Sequence, residues 1–338
     1  MRDFNKDRYF QDWLRKQEEE KRLNEERRKK RIIQENRERR KRHQLMMQEQ
    51  LMAQMAAFND AVVNASGGSS GSASGGDEVT ADSIVGDFYT AAGISDTGAK
   101  PALVDFVDSL IRDNLWDKMI AVYPFITDAR DTPGTQAQFK YNLKDPRDSD
   151  DAYRLTFNGS VGVGNQGITS MGSAAYMNTH ISSVGVFTDD RPTFGYSNIT
   201  ITDNRYGVIG SVIGTSLSYN YIQFTWPFSA GYRIDMDSSP YSTDILSGWD
   251  GTGTHIFSRM DDTNVRIISS DGSKQTRTIP IEGLATVEFT IGLKTGANEG
   301  INTNTISFVF FSNKLEDAEA STLQTAVDTL LTTLGRLV

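Results

Sequence analysis

The chain changes character abruptly near residue 65, and no single core can be continued across that boundary. Residues 1–64 contain neither proline nor glycine and are dominated by charge, while Ser66 to Gly76 holds only serine, glycine and Ala73. Everything beyond is polar, turn-rich and studded with alternating apolar residues. The pattern predicts a charged helical stalk over 1–64, a flexible linker over 65–79, a helical segment over 80–118 and a β-rich head over 119–338.

In the stalk, Glu18/Arg22, Glu25/Lys29, Glu26/Lys30, Glu35/Arg39 and Glu38/Arg42 are i,i+4 pairs with the acid first, the orientation that supports a helix. Leu51, Met55, Phe58 and Val62 follow 4-3-4 spacing, a short oligomer seam of coiled-coil type. Phe4, Tyr9, Phe10, Trp13 and Leu14 gather ahead of the charged run. Aromatics on a charged arm suit an anchor that docks in a groove on another protein. A plain solvated helix or a charged tail is the simpler use of the same run.

Charge divides the chain in the same place. Residues 1–44 carry 17 Lys/Arg against 10 Asp/Glu, a net +7, while the whole chain carries −9 and residues 45–338 therefore −16. An acidic body repels nucleic acid, and acids interleave too evenly along the basic arm for it to follow phosphates. Cysteine is absent, which excludes disulfides, thiol catalysis and Cys-ligated zinc. No apolar run approaches the ~18 residues of a membrane helix, so no membrane insertion is expected.

Within 80–118, Thr80 to Ala92 suits a short helix. Pro101 to Met119 suits a longer one, whose stripe of Leu103, Phe106, Val107, Leu110, Ile111 and Leu115 has to be covered by the head or by another subunit. After Trp116 the period becomes 2. Phe139/Tyr141/Leu143, Tyr153/Leu155/Phe157, Ile222/Phe224/Trp226/Phe228, Val287/Phe289/Ile291/Leu293 and Ile306/Phe308/Phe310 all alternate. Such strands predict antiparallel sheets packed as a jelly-roll β-sandwich. Pro227 within its run points to an edge strand. A C-terminal helix is expected from Asp317 to Leu334, stopped by Gly335, with Leu323, Val327, Leu330, Leu331 and Leu334 facing the sandwich.

Three segments carry a resemblance. They are Phe106-Val-Asp-Ser-Leu-Ile-Arg-Asp-Asn-Leu-Trp-Asp-Lys-Met-Ile-Ala-Val-Tyr-Pro-Phe-Ile126, Asn142-Leu-Lys-Asp-Pro-Arg-Asp-Ser-Asp-Asp-Ala-Tyr-Arg-Leu-Thr-Phe-Asn-Gly159, and Ser307-Phe-Val-Phe-Phe-Ser312 with the closing Leu334-Gly-Arg336. Together they resemble the lectin-like, laminin-G/concanavalin-type jelly-roll domain of tailed-bacteriophage fibre and spike proteins, over residues 100–338. The resemblance implies a virion protein, commonly trimeric, that contacts other virion proteins through its N-terminal helix and a host-surface glycan through its head. Within a virion, a structural decoration of the head or collar is the alternative. A polysaccharide depolymerase is the enzymatic alternative, and the chain is read as not an enzyme.

Chemistry-bearing motifs are sparse. Gly162-Val-Gly-Asn-Gln-Gly167 satisfies G-x-G-x-x-G, but the Ser/Gly/Asn-rich segment after it cannot open the helix a dinucleotide site needs, so it reads as a turn. His43, His180 and His255 have no metal spacing and no neighbouring partners in sequence, and read as structural or exposed. No cofactor is implied. Asp235/Asp237 or Asp261/Asp262 could hold calcium, without any loop motif to support it. Asp189, Asp190, Asp244 and Asp250 add acids that sequence cannot pair for glycoside cleavage. Tyr219, Tyr221, Tyr232, Tyr241 and Trp249, set among Ser, Asn and Asp, are the glycan-binding candidates.

Overall fold

The computed structural model describes residues 80–127, 133–171, 175–182, 186–188, 191–200, 207–213, 218–226, 229–236, 252–261, 263–278, 288–292 and 305–336. The stalk, anchor, seam and linker expected over 1–79 lie outside the described residues. Residues 77–338 form one compact unit.

Two helices open it. Helix α1 (Ala81–Ala92) begins at a capping box in which Thr80 Oγ1 accepts from the Ser83 N–H and Ser83 Oγ from the Thr80 N–H. It stops at Gly93, whose φ of 64° is the left-handed turn glycine tolerates. Helix α2 (Lys100–Arg112) carries its proline in the first turn and buries Leu103, Phe106, Val107 and Leu110. It ends seven residues before the expected Met119. Asn114 takes a φ of 57° and a 3-10 turn (Trp116–Lys118) redirects the chain into β1 (Met119–Tyr123). Ile111 is consequently exposed, and Leu115 reaches the core from beyond the helix.

Thirteen further strands follow in the described residues: β2 (Thr156–Asn158), β3 (Val161–Val163), β4 (Ile168–Met171), β5 (Tyr176–Ser182), β6 (Thr193–Thr200), β7 (Gly207–Ile213), β8 (Ser218–Trp226), β9 (Ser229–Met236), β10 (Gly253–Arg259), β11 (Asn264–Ile268), β12 (Lys274–Thr278), β13 (Glu288–Ile291) and β14 (Thr305–Ser312). All pair antiparallel. One sheet runs β12-β11-β10-β6-β14-β4-β3, and β1 also pairs with β14, sharing the edge that β4 occupies. The second runs β2-β5-β13-β7-β8-β9. The chain passes repeatedly between the two sheets.

Phe194, Phe257 and Phe311 from the first sheet meet Phe289, Ile291, Met177 and Ile181 from the second. The Phe289 ring lies 5.8 Å from Phe194 and 5.5 Å from Phe311, centroid to centroid. The outer face of the first sheet is also buried, because Ile256, Ile268, Phe308 and Phe310 pack under α1, α2 and helix α4 (Asp317–Thr333). Phe106 meets Phe308 edge-on at 5.6 Å. The wide stripe of α2 is therefore covered by the head itself, and the helices of 80–118 belong to the same core as the sheets. α4 buries Leu323, Val327, Leu330 and Leu331 as its periodicity requires, and Gly335 follows at a φ of 66°.

Several alternating runs take other forms. Phe139 ends a one-turn helix, α3 (Gln136–Phe139), and Asn142 and Leu143 lie along the edge of β1 through side-chain and backbone hydrogen bonds. Of Tyr153/Leu155/Phe157 only Phe157 is in a strand, because the 3-10 turn Asp150–Ala152 leads Tyr153 into a φ of 59°. β8 is paired on both sides, by β7 and β9, so it is not an edge strand, and it ends at Trp226 before the proline. On β14 a register shift between Ile306 and Phe308 changes the phase. Ile306 thus joins Val309 and Phe311 between the sheets, while Phe308 and Phe310 face the helices.

Candidate functional site

Among the described residues, a strip of polar side chains lies on β2, β5 and β13 of the second sheet, on the face away from the first. Along β5, Met177, Thr179 and Ile181 are buried while Tyr176, Asn178, His180 and Ser182 are partly exposed. Pairing places Asn158 opposite Tyr176 and Thr156 opposite Asn178. Aromatic, amide and hydroxyl groups therefore share one face.

A bulge aims His180. Glu288 pairs with Ser182 and Thr290 with Asn178, so Thr179, His180 and Ile181 stand opposite Phe289 alone. His180 absorbs the excess at a φ of 58°, a conformation costing a non-glycine residue about 1 kcal/mol. Hydrogen bonds hold the distortion. Thr179 Oγ1 donates to the Phe289 carbonyl at 2.7 Å and accepts from the Ile181 N–H at 3.2 Å, and the His180 N–H reaches Asn178 Oδ1 at 3.2 Å.

The ring is 15% exposed and has a polar neighbour beside each nitrogen. Nε2 is 2.8 Å from Thr156 Oγ1 and 3.4 Å from Asp150 Oδ1, and Nδ1 is 3.6 Å from Glu288 Oε2. The same Glu288 oxygen accepts from Asn178 Nδ2. The sequence reading of His180 as a histidine without nearby partners is thus corrected. Its partners come from a turn and two strands remote in the chain, and the bulge has no sequence signal of its own.

Asp150 ties this strip to a surface network. Arg154 Nε donates to it at 2.9 Å and Arg154 Nη1 to Asp148 at 2.7 Å, and Lys140 Nζ reaches Asp148 at 2.6 Å. Hydrogen bonds from Lys140 and Arg154 hold the Asp148 carboxyl below its ordinary value. Arg147 bridges Asp145 at 2.6 Å and Asp151 at 3.3 Å.

Hydroxyl, imidazole and carboxylate follow one another as in a nucleophilic triad, yet the geometry is not one. Glu288 is beyond hydrogen-bond reach of Nδ1, and Asp150 crowds the same Nε2 that a Thr156 nucleophile would use. The imidazole is positioned to hydrogen-bond.

Of the glycan candidates from sequence, Tyr219 and Tyr221 lie on β8 and Tyr232 on β9. Ile209, in the core, pairs with Ile222, so the register puts positions 219 and 221 on the opposite face of β8. Tyr232 pairs with Phe224, in phase with Ile222, which separates it from them. Tyr241 and Trp249 lie outside the described residues, as do Asp189, Asp190, Asp237, Asp244, Asp250, Asp262 and His43. Asp235 stands opposite Tyr221 on β9.

Asp261 does not suit calcium. Oδ1 accepts from the N–H groups of Thr263 and Asn264 and from Thr263 Oγ1, and Oδ2 from Asn264 Nδ2, at 2.7–2.9 Å. These donors, Asn264 foremost and then Thr263, hold its carboxyl well below the usual range and occupy both oxygens. Among the described residues no three His, Asp or Glu side chains are arranged to hold a metal ion, and no helix is long and apolar enough to cross a membrane. His255 is buried, with Nε2 2.9 Å from the Thr252 carbonyl and its ring tilted on Tyr196. The G-x-G-x-x-G segment is the β3–β4 hairpin turn, closed by Gly164 N–H to the Gly167 carbonyl at 2.8 Å. At Gly167, φ is 137° and a Cβ would run into the backbone of Ile306.

No protein-family model and no curated protein matches the chain. Among solved structures, a Trypanosoma rangeli sialidase complex is similar at 12% identity and a TM-score of 0.46, over 63% of this chain and 33% of the sialidase. The botulinum neurotoxin serotype D binding domain is similar at 9% identity and a TM-score of 0.41, over 63% of this chain and 52% of that one. The receptor-binding domain of a botulinum neurotoxin C/D mosaic stands at 10% and 0.39. This chain spans a third of the sialidase and about half of the toxin domains. Likeness at this level concerns the arrangement of β-sheets and carries no activity.

Proposed function

We propose that the chain is a fibre or spike protein of a tailed-bacteriophage particle, with a jelly-roll head that binds a host-surface glycan without cleaving it. The observation that carries this reading is the strip on β2, β5 and β13. Tyr176, Asn158, Asn178, Thr156, His180 and Glu288 offer an aromatic ring, two amides, a hydroxyl, an imidazole and a carboxylate on one sheet face. Sugars are bound by such mixtures, because ring faces cover their C–H groups while amides and acids take their hydroxyls. Helices cover the outer face of the other sheet, which leaves the strip's face as the working side of the sandwich. The surrounding acids favour a neutral or amino sugar over an anionic one.

The virion role rests on the resemblance of the segments at 106–126, 142–159 and 307–336. In this reading residues 1–64 dock on the particle, and several heads on one fibre, three in a trimer, raise avidity for weak sugar sites. Gold-labelling of intact particles with an antibody against residues 120–338 tests it. Label at the tail tip is expected. Label on the head or collar would replace attachment with decoration, and absence of the chain from purified particles would overturn the virion role.

A further inference from the structure

The carboxylates beside and behind His180 outnumber the cations that meet them. Asp145, Asp148, Asp150, Asp151 and Glu288 face Lys140, Arg147 and Arg154, five acids against three bases. Asp145 and Asp151 share Arg147, and Asp148 and Asp150 share Arg154, with Lys140 also on Asp148. Glu288 is the acid of this group that no lysine or arginine among the described residues reaches.

Its side chain lies over β5. Oε2 accepts from Asn178 Nδ2 and stands 3.6 Å from His180 Nδ1. Oε1 receives no hydrogen bond among the described residues, and the side chain is 45% exposed. A lone glutamate at a surface is ordinarily just solvated. This one borders the amide, hydroxyl and imidazole groups of one sheet face, where a bound ligand displaces that water and leaves the charge to be met by the ligand itself.

We propose that the sugar taken by the strip carries a free primary amine, which Glu288 recognises as the ammonium. This inference rests on the glycan-binding reading of the strip and narrows it. An ammonium presents three N–H donors and no acceptor. A donor directed at Glu288 Oε1 makes a charge-assisted hydrogen bond, about twice as strong as a neutral one. The N-acetylated form of the same sugar has lost the charge and keeps a single amide N–H for the same oxygen. A sugar carboxylate would instead add to the negative excess already present. Glu288 is thus the residue that sets the preference, while Asn178 and Thr156 serve the hydroxyls of any sugar on this face.

The test is calorimetric titration of the full chain at about pH 6, where an amine is a cation. The probes are a glucosamine trisaccharide, its fully N-acetylated form, and N-acetyl-lysine amide as an amine without a sugar ring. The free-amine trisaccharide is expected to bind at least about tenfold more tightly than the N-acetylated one. Glu288→Gln, close in size, should collapse that ratio. Asp87→Asn, which removes an equal charge from the exposed side of α1, should leave the ratio unchanged. Equal binding of the two trisaccharides, both weakened by Asn178→Ala, would overturn the amine preference and keep the strip as a glycan site. A ratio that survives Glu288→Gln, or falls as far in Asp87→Asn, would overturn the assignment to Glu288. N-acetyl-lysine amide binding as tightly as the amine trisaccharide would overturn the sugar as the ligand. Binding of no probe would overturn the proposal, and silence of the chain towards every other glycan as well would take the strip reading with it.

Discussion

Asn142 shows how one buried side chain replaces a strand. Oδ1 accepts from the N–H groups of Val122 at 2.9 Å and Lys144 at 3.0 Å, while Nδ2 donates to the carbonyls of Ala152 at 3.1 Å and Ile120 at 3.3 Å. Sequence marks the position only as the polar member of an apparent alternation, Tyr141-Asn-Leu143, and so suggests a strand where the chain instead turns. Asn142→Leu keeps the volume and strips those bonds from buried backbone groups, which cost about 1–3 kcal/mol each when left unpaired. A loss of about 3 kcal/mol or more is expected in urea unfolding, and a loss under 1 kcal/mol would show that the bonds are replaced. Asp148 gives a prediction in pH. Its carboxyl is depressed by Lys140 and Arg154, so its contribution is present above the ordinary carboxylate value of about 4 and is lost as pH falls through the depressed range. Asp148→Asn should therefore flatten the acid limb of a Tm-against-pH curve and change little else, since exposed pairs contribute little.

Elements were legible where period and a stop signal agreed. α4 has its apolar stripe and the Gly335 stop in one run of sequence, and forms over Asp317–Thr333. On β13, Phe289 and Ile291 enter the core as their alternation demands. β14 was only half legible. Its alternation is visible, but burial on both faces and the phase change at Ile306 arise from sheets and helices distant in sequence. Phe308→Ala tests whether the helical layer depends on this strand. Removing a ring packed on Phe106 should cost about 3–5 kcal/mol and raise hydrogen exchange in α1 and α2 together. Exchange confined to one helix would mean that the layer is not a unit.

At the scale of the whole molecule, helices cover the outer face of one sheet, and β2, β5 and β13 present polar chemistry on the outer face of the other. That asymmetry was not readable in advance. The aromatic candidates were chosen for local company, whereas the strip is assembled from a turn, a bulged strand and an edge strand separated along the chain. His180 had no signal at all, because a positive φ inside a strand leaves no trace in composition. The first expectation of a mainly antiparallel β fold needed only period and turn residues, which are local.

The most direct measurement is binding of the full chain, beside Asn178→Ala and Glu288→Ala variants, to an array of immobilised neutral, amino and acidic glycans. Saturable binding to neutral or amino glycans is expected, without release of a cleavage product. Both variants should weaken it at least about tenfold, or 1.4 kcal/mol, with unchanged circular dichroism. No binding to any glycan, or binding that the two variants leave intact, would contradict the assignment of this face.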